Sequence, residues 1–377
     1  MAFPRKPVGA LFGVDIDSNK LHNIESETPP SPAKRAKMFA QFRDSVKSKW
    51  HAMDNVSMTV RADDIYRIYS TGQDPATLFK KAISYMDSVR AISREQETSV
   101  DEEVENMMMH AIFGSNRIEN AGLDLDITIH LCRKILRGED VGEITERTPE
   151  YLDKLAELYR MDSNLKQQSL QHVLRGRQEI VQHVKAFQHL IHHFAVDKED
   201  MTEELIKKTH AILCKGVPVI HRQGPETPSQ DYAGKYRKVV VGAGNSNFVV
   251  PQHVPSQMAK LCADLKQEII KAEADKSIDP FSLASKYSLE FVQIHPFLDG
   301  NGRMCRMILN VILFRFTGIF VAIGEREADR EEYMSIKKRS SETMEGHGEY
   351  ATFVLDKGMR NFRKLKQKLH GKRAQNC

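Results

Sequence analysis

The twelve residues HPFLDGNGRMCR (295–306) bring an imidazole, a carboxylate, two glycines, an asparagine and two arginines into one short stretch. His295 is the group there that can take a proton at neutral pH, since an unperturbed imidazole titrates at about 6.5. Asp299 offers a hard oxygen of the kind Mg²⁺ accepts alongside phosphate oxygens. Arg303 and Arg306 are three apart, so on a helix they share a face and reach one anion. Gly300 and Gly302, with Asn301 between them, free the backbone to curl. A glycine-containing loop that feeds a helix N-terminus turns unpaired amides toward a phosphate. The set fits nucleotidyl or phosphoryl transfer with His295 as general base. A glycine turn with solvated arginines would explain any one of these residues, but not all of them at this spacing. The chain has no GxxxxGK[ST], so the phosphate seat is not a P-loop.

Helices must hold these groups. SLASKYSLEFVQI (282–294) has helical apolar spacing, and Pro296 pushes His295 out of the right-handed helical region. His295 therefore belongs at a helix-to-loop junction, and GRMCRMILNVILFRFTG (302–318) predicts the helix that follows the loop. Upstream, apolar periodicity predicts helices over 74–92, 99–114 (with a Ser99 cap and an acidic first turn), 169–194, 199–217 and 255–274. One stretch breaks that rhythm. GKYRKVVVGAGNSNFVVPQHVP (234–255) has two β-branched runs around a Gly/Asn-rich turn, which predicts a β-hairpin. The expected fold is all-α with one small hairpin.

With 41% hydrophobic and 28% charged residues the chain is ordinary for a folded protein, and its net charge of +4 demands no nucleic acid. Five scattered cysteines without a CxxC pair argue for free thiols in a reducing compartment, against a disulfide framework or zinc. No apolar run approaches a membrane span, and the first residues do not read as a signal peptide. Cytosolic residence is expected, with nuclear residence left open. ESETPPSPAKRAK gives residues 1–38 the composition of a mobile arm, and PAKRAK fits a solvated basic linker better than an import signal. Residues 346–377 are expected to form a basic, partly helical tail.

HPFLDGNGRMCR resembles the signature of the Fic family of protein adenylyltransferases, HPFx[D/E]GN[G/K]RxxR, at every defined position. GKYR (234–237), KKTHAIL (207–213) and PQHVPSQMAKL (251–261) fit the same framework, and the resemblance covers about 200–345. It implies a mainly helical Fic core there, after a helical region over 39–199. It also implies transfer of AMP from ATP to a hydroxyl of a target protein. On that model His295 deprotonates the hydroxyl, and Asp299 holds Mg²⁺. Amides around Gly300, Asn301 and Gly302 cradle the α- and β-phosphates. Arg303 meets the β-phosphate, Arg306 the γ-phosphate and Asn310 the nucleoside. Gly302, where phosphorylating relatives carry lysine, favours AMP. The hairpin, Val240 to Phe248, would align the target by main-chain pairing. Self-modification and a homodimer fit the same model.

SNRIEN (115–120) resembles the family's inhibitory motif, [S/T]xxxE[G/N], and follows the helix MMMHAIFG. The resemblance implies that Glu119 pairs with Arg306 and obstructs the γ-phosphate. One guanidinium cannot serve a carboxylate and a phosphate at once. Some glutamate-bearing relatives also remove AMP, so demodification stays open. Two further readings compete: metal-dependent phosphoester hydrolysis, which lacks additional His/Asp ligands, and a non-catalytic nucleotide-binding adaptor, against which the intact His295, Asp299 and Arg306 argue. His189 and His193 are four apart, but without an evident third ligand they read as helix packing. Met107 to Met109 read as core.

Overall fold

A computed structural model describes residues 57–60, 65–67, 74–93, 97–139, 141, 151–221, 224–243, 246–343 and 346–375. The expected arm at 1–38 lies outside them. In chain order the helices are α1 (Pro75–Ser93), α2 (Glu97–Ile118), α3 (Leu125–Leu136), α4 (Tyr151–Met161), α5 (Leu170–Leu190), α6 (Glu203–Cys214), α7 (Ser229–Tyr232), α8 (Val254–Ala274), α9 (Pro280–Ile294), α10 (Asn301–Thr317), α11 (Glu327–Thr343) and α12 (Gly348–Gln375). Four two-residue strands complete the set: β1 (Ser57–Met58) pairs in parallel with β4 (Ser277–Ile278), and β2 (Gly242–Ala243) antiparallel with β3 (Ser246–Asn247). The fold is thus mainly helical with a small hairpin, as expected. Among the described residues no helix is long and apolar enough to cross a membrane.

At the centre lies α10. Every residue from Met304 to Phe314 is buried, so this helix has no solvent face. It packs most extensively on α9, and also on α2, α5 and the turn after α5. α9 starts on a side-chain cap, Asp279, which accepts from the Ser282 amide at 3.0 Å, with Pro280 in the first turn where its missing N–H costs nothing. Thr202 caps α6 in the same way, accepting from Leu205 N at 3.1 Å. α5 ends in a π-helical turn, Ile191–Val196.

Three elements depart from the sequence reading. α2 begins at Glu97, before the expected Ser99 cap, and runs past Gly114 to Ile118. Gly114 looks like a stop signal but is a point of contact: a Cβ there would lie 2.4 Å from the Ile323 carbonyl oxygen. The hairpin is shorter than its β-branched runs suggest: pairing stops at Gly242 and Asn247, and beyond it Arg237 binds the Val239 and Val249 carbonyls. The basic tail is a 28-residue helix, α12, whose Tyr350, Val354, Phe362, Leu365 and Leu369 are buried. Its main partner is α1. Lysines and arginines on its outer face mask that apolar spacing in the sequence.

Candidate active site

Loop 295–300 joins α9 to α10 and sets the geometry of the site. His295 caps α9 in the left-handed region, φ 52° and ψ 59°, with its N–H on Phe291 O at 3.0 Å. The helix stops where Pro296 requires. That conformation is unusual for a residue with a Cβ, so the surroundings must hold it. The ring Nδ1 lies 3.2 Å from Val292 O. A carbonyl only accepts, so Nδ1 carries the proton and Nε2 keeps its lone pair. Phe248 of the hairpin stacks on the ring, with centroids 3.9 Å apart and planes at 18°. Burial pushes the imidazole down to about 4, helped by the Lys337 and Arg237 charges and opposed by the Val292 bond and Glu119. His295 is therefore a neutral base at ordinary pH.

Gly300 is the N-cap of α10 at φ 76°, a region open to glycine at little cost. Its N–H goes to Asp299 Oδ1 at 2.7 Å, so it is not free for an anion, contrary to the expected cradle. Asn301 turns its side chain back onto Phe297, Oδ1 accepting from the Phe297 N–H and Nδ2 donating to its carbonyl, both at 2.9 Å. Asn301 thus closes the loop with its side chain. No side chain caps α10, so the first-turn amides of Asn301, Gly302 and Arg303 are the ones the helix leaves for an anion.

Arg303 is buried, 3.7 Å from Asp299 Oδ2 through Nη2, and its buried Nε and Nη1 have no hydrogen-bond partner. Burial opposes its charge, but Asp299, Cys214, Glu179 and Glu119 outweigh that and raise its pKa. Two unpaired guanidinium nitrogens beside an uncapped helix start suit a phosphate group. Asp299, 39% exposed, offers a hard oxygen donor in this loop. A single carboxylate fits a Mg²⁺ ion that arrives with a nucleotide, because such an ion takes its remaining ligands from phosphates and water.

Arg306 is engaged through Nε and Nη2. Nε donates to Ser115 Oγ at 2.9 Å, and Nη2 donates to Ser115 O at 2.9 Å and to Glu119 Oε1 at 2.6 Å. Burial works against the charge, yet Glu119 holds the guanidinium protonated, well above its usual pKa. Burial likewise raises the Glu119 carboxyl, but Arg306 reverses this and leaves it below the usual carboxylate range. The carboxylate also lies against Gly302, where a Cβ would meet Oε1 at 1.9 Å. Ser115 and Glu119 reach Arg306 because α2 continues through the first part of SNRIEN.

Asn310, expected at the nucleoside, makes three hydrogen bonds within the protein. Its amide accepts from Val321 N at 2.6 Å and donates to Val321 O at 3.1 Å and Arg306 O at 3.0 Å. It is buried and pins the segment after α10, so both ends of the amide are engaged within the protein. Three residues not singled out individually in the sequence also build the site. His210 accepts the Gly234 N–H at Nδ1 and donates from Nε2 to Asp299 O, both at 2.9 Å, and its ring stacks on Phe297. Arg237 and Phe248 are the others. Both lie in stretches flagged in the sequence, but spacing alone does not say which carbonyl or ring they touch.

Away from this site, His193 meets Asp197 and Glu199, the carboxylates that sequence spacing could not supply as partners. His193 pairs with Glu199 at 3.1 Å and His192 with Asp197 at 3.4 Å, whereas the buried Nε2 of His189 has no hydrogen-bond partner and its ring meets that of His193 edge-on. Met108 and Met109 are buried in the core. Among the described residues Cys132, Cys214, Cys262 and Cys305 are free thiols.

Residues 200–313 match the Fic/DOC family. Protein adenylyltransferase fic-1 of Caenorhabditis briggsae is 31% identical over 132 residues, 35% of this chain and 25% of that protein. A Fido domain-containing protein of Dictyostelium discoideum is 35% identical over 102 residues, 27% of this chain and 66% of that one. Protein adenylyltransferase Fic of Nematostella vectensis is 28% identical over 152 residues, 40% of this chain and 32% of the relative. The chain thus matches a quarter to a third of the length of these two adenylyltransferases. Among solved structures, Fic-1 from C. elegans aligns with a TM-score of 0.56 at 17% identity, over 92% of this chain and 90% of that one. A Fic domain containing signaling protein from Bacteroides thetaiotaomicron also gives 0.56, at 16% identity, over 77% and 98%. At these identities the structures establish the fold.

Proposed function

The chain carries a Fic domain at residues 200–313, and from that premise we propose that it transfers AMP from ATP to a hydroxyl side chain of a target protein. The observation that carries this is the pair of unpartnered Arg303 nitrogens beside the uncapped start of α10, one loop away from a neutral His295. His295 Nε2 takes the proton of the acceptor hydroxyl. The acceptor oxygen then bonds to the α-phosphorus as the bond to the β-phosphate bridging oxygen breaks, and pyrophosphate leaves. The Asn301, Gly302 and Arg303 amides with the Arg303 guanidinium hold the phosphates, where donors fixed before reaction stabilise developing charge. Asp299 would hold Mg²⁺, which when bound supplies neutralising charge to the phosphates. The hairpin, Val240 to Phe248, is the proposed docking edge for an extended target segment, and Val240 is 79% exposed.

The same proposal makes Glu119 an inhibitor. It occupies Arg306 and the start of α10, the two features an incoming γ-phosphate needs. In this reading residues 39–199 carry the regulatory element and 200–345 the catalytic one, with α12 supporting both. Self-modification, homodimer formation and cytosolic or nuclear residence belong to the proposal as well. A second reading, removal of AMP, is favoured by the 37% exposure of the Glu119 side chain, which leaves room to orient a water.

Incubation with α-labelled ATP and Mg²⁺ followed by mass spectrometry tests the reaction. Wild type should add AMP slowly to itself or a target, Glu119→Gly about 10- to 100-fold faster, in line with loss of a charge-assisted hydrogen bond, and His295→Ala not at all. Equal labelling of wild type and Glu119→Gly would refute inhibition. Loss of AMP from a premodified protein by wild type but not by Glu119→Gly would establish the second reading.

A further inference from the structure

Arg237 is buried at 5% exposure, and the hydrogen bonds of its guanidinium go to main-chain carbonyls. Nε donates to His295 O at 2.6 Å, Nη1 to Val239 O at 2.9 Å, and Nη2 to Val249 O and to Ile294 O at 3.4 Å. Its own N–H donates to Pro296 O at 2.9 Å. The side chain therefore grips both arms of the hairpin and two consecutive carbonyls at the end of α9, Ile294 and His295, while the Arg237 backbone holds the third, Pro296. The planar guanidinium offers five donors in a fixed fork, which a lysine cannot reproduce. Next to Val249 on the same arm, Phe248 stacks on the His295 ring.

We propose that Arg237 and Phe248 are positioning residues that couple the hairpin to His295, so that an extended segment docking on the hairpin sets the orientation of the base. This inference rests on His295 being the general base. The left-handed backbone of His295 is strained for a residue with a Cβ and persists only because its surroundings hold it; the Arg237 fork fixes its carbonyl while Val292 and Phe248 fix its ring. Any displacement of Val249 by a docked strand passes to His295 through two contacts, one on its backbone and one on its ring. A target that cannot pair along the hairpin would reach a base out of line, whatever its affinity elsewhere.

The charged groups that bear on His295 are Arg237 before the hairpin, Lys337 on α11 and Glu119 after α2. Removing Arg237 takes away one cation that disfavours imidazolium, so the His295 pKa should rise above about 4, while burial, the largest cause, still holds it below the usual imidazole range. The experiment compares Arg237→Gln, Arg237→Lys and Phe248→Leu, each in a Glu119→Gly chain so that transfer is measurable. Histidine-labelled NMR, with His295→Ala as assignment control, reads the His295 pKa without any turnover. We expect kcat for protein transfer to fall about 10- to 100-fold in Arg237→Gln and less in Phe248→Leu. The KM for ATP should stay within about twofold, the acid limb of the rate should move upward in Arg237→Gln, and Arg237→Lys should rescue the pKa but not kcat. Loss of folded protein alone would lower kcat without moving the limb, and in that case Phe248→Leu, which keeps an apolar side chain, decides. Unchanged kcat and His295 titration in Phe248→Leu and Arg237→Gln would overturn the coupling. Full transfer by His295→Ala would instead overturn the proposed function.

Discussion

Gly302 illustrates how much a single hydrogen can decide. Nothing in HPFLDGNGRMCR says that this position faces residue 119, yet a methyl group added here would overlap the Glu119 carboxylate. The backbone at the start of α10 cannot retreat, so the flexible glutamate has to. Under the proposed inhibition, Gly302→Ala should raise AMP transfer over wild type by about 10-fold, a fraction of the gain from removing a charge-assisted bond. The double variant Gly302→Ala/Glu119→Gly, measured against Glu119→Gly, isolates any crowding of the phosphate seat. If Gly302→Ala transfers no faster than wild type while the double variant matches Glu119→Gly, the glutamate does not yield as argued. At this scale the sequence was most informative about residue types and least about partners. His295, Asp299, Arg303 and Arg306 declare their chemistry by type and spacing. Asn301 and Asn310 do not, because an amide that closes a loop and one that meets a ligand look alike until their partners are seen.

Among the elements, α2 carries the regulatory contact and α9 to α10 the chemistry. The end of α9 was legible to the residue, since Pro296 marks it by a local rule; its start, at Pro280 behind the Asp279 cap, lies two residues before the stretch whose spacing announces it. α2 was not, because Gly114 sits mid-helix for a tertiary reason, the approach of the 323–325 backbone. This seam aligns Ser115 and Glu119 with Arg306. Gly114→Val should push α2 off that segment, lowering stability by about 1–3 kcal/mol as overpacking does and releasing Arg306. Thermal unfolding should drop by several degrees while labelling by α-labelled ATP rises. A variant that loses stability without gaining transfer would show that inhibition does not depend on the position of α2. The hairpin was recognisable from its β-branched runs and turn residues. Its short ladder was not, since only the fold reveals that Arg237 holds one carbonyl on each arm, Val239 and Val249.

Among the described residues a hydrophobic cluster runs from Tyr66 to Leu369 around a helix with no solvent face. Composition made a helical protein with a sizeable core legible, but not the contribution of α12, whose basic residues hide its buried stripe. Chains ending before Gly348 should therefore lose cooperative unfolding and expose apolar surface, even though residues 200–313 that match the family remain intact. Phe362→Ala, at a buried position, should cost about 3–5 kcal/mol. A shortened chain that melts as sharply as the full one would show that α12 is dispensable. The partnership of α1 with α12 also has a consequence for synthesis. Roughly 250 residues separate them, and at about 5–20 residues per second the ribosome takes tens of seconds to deliver the second after the first. Throughout that interval Leu78, Ala82, Met86 and Val89 wait for the surface that will cover them, so the nascent chain is a client for whatever shields apolar helices at the exit tunnel.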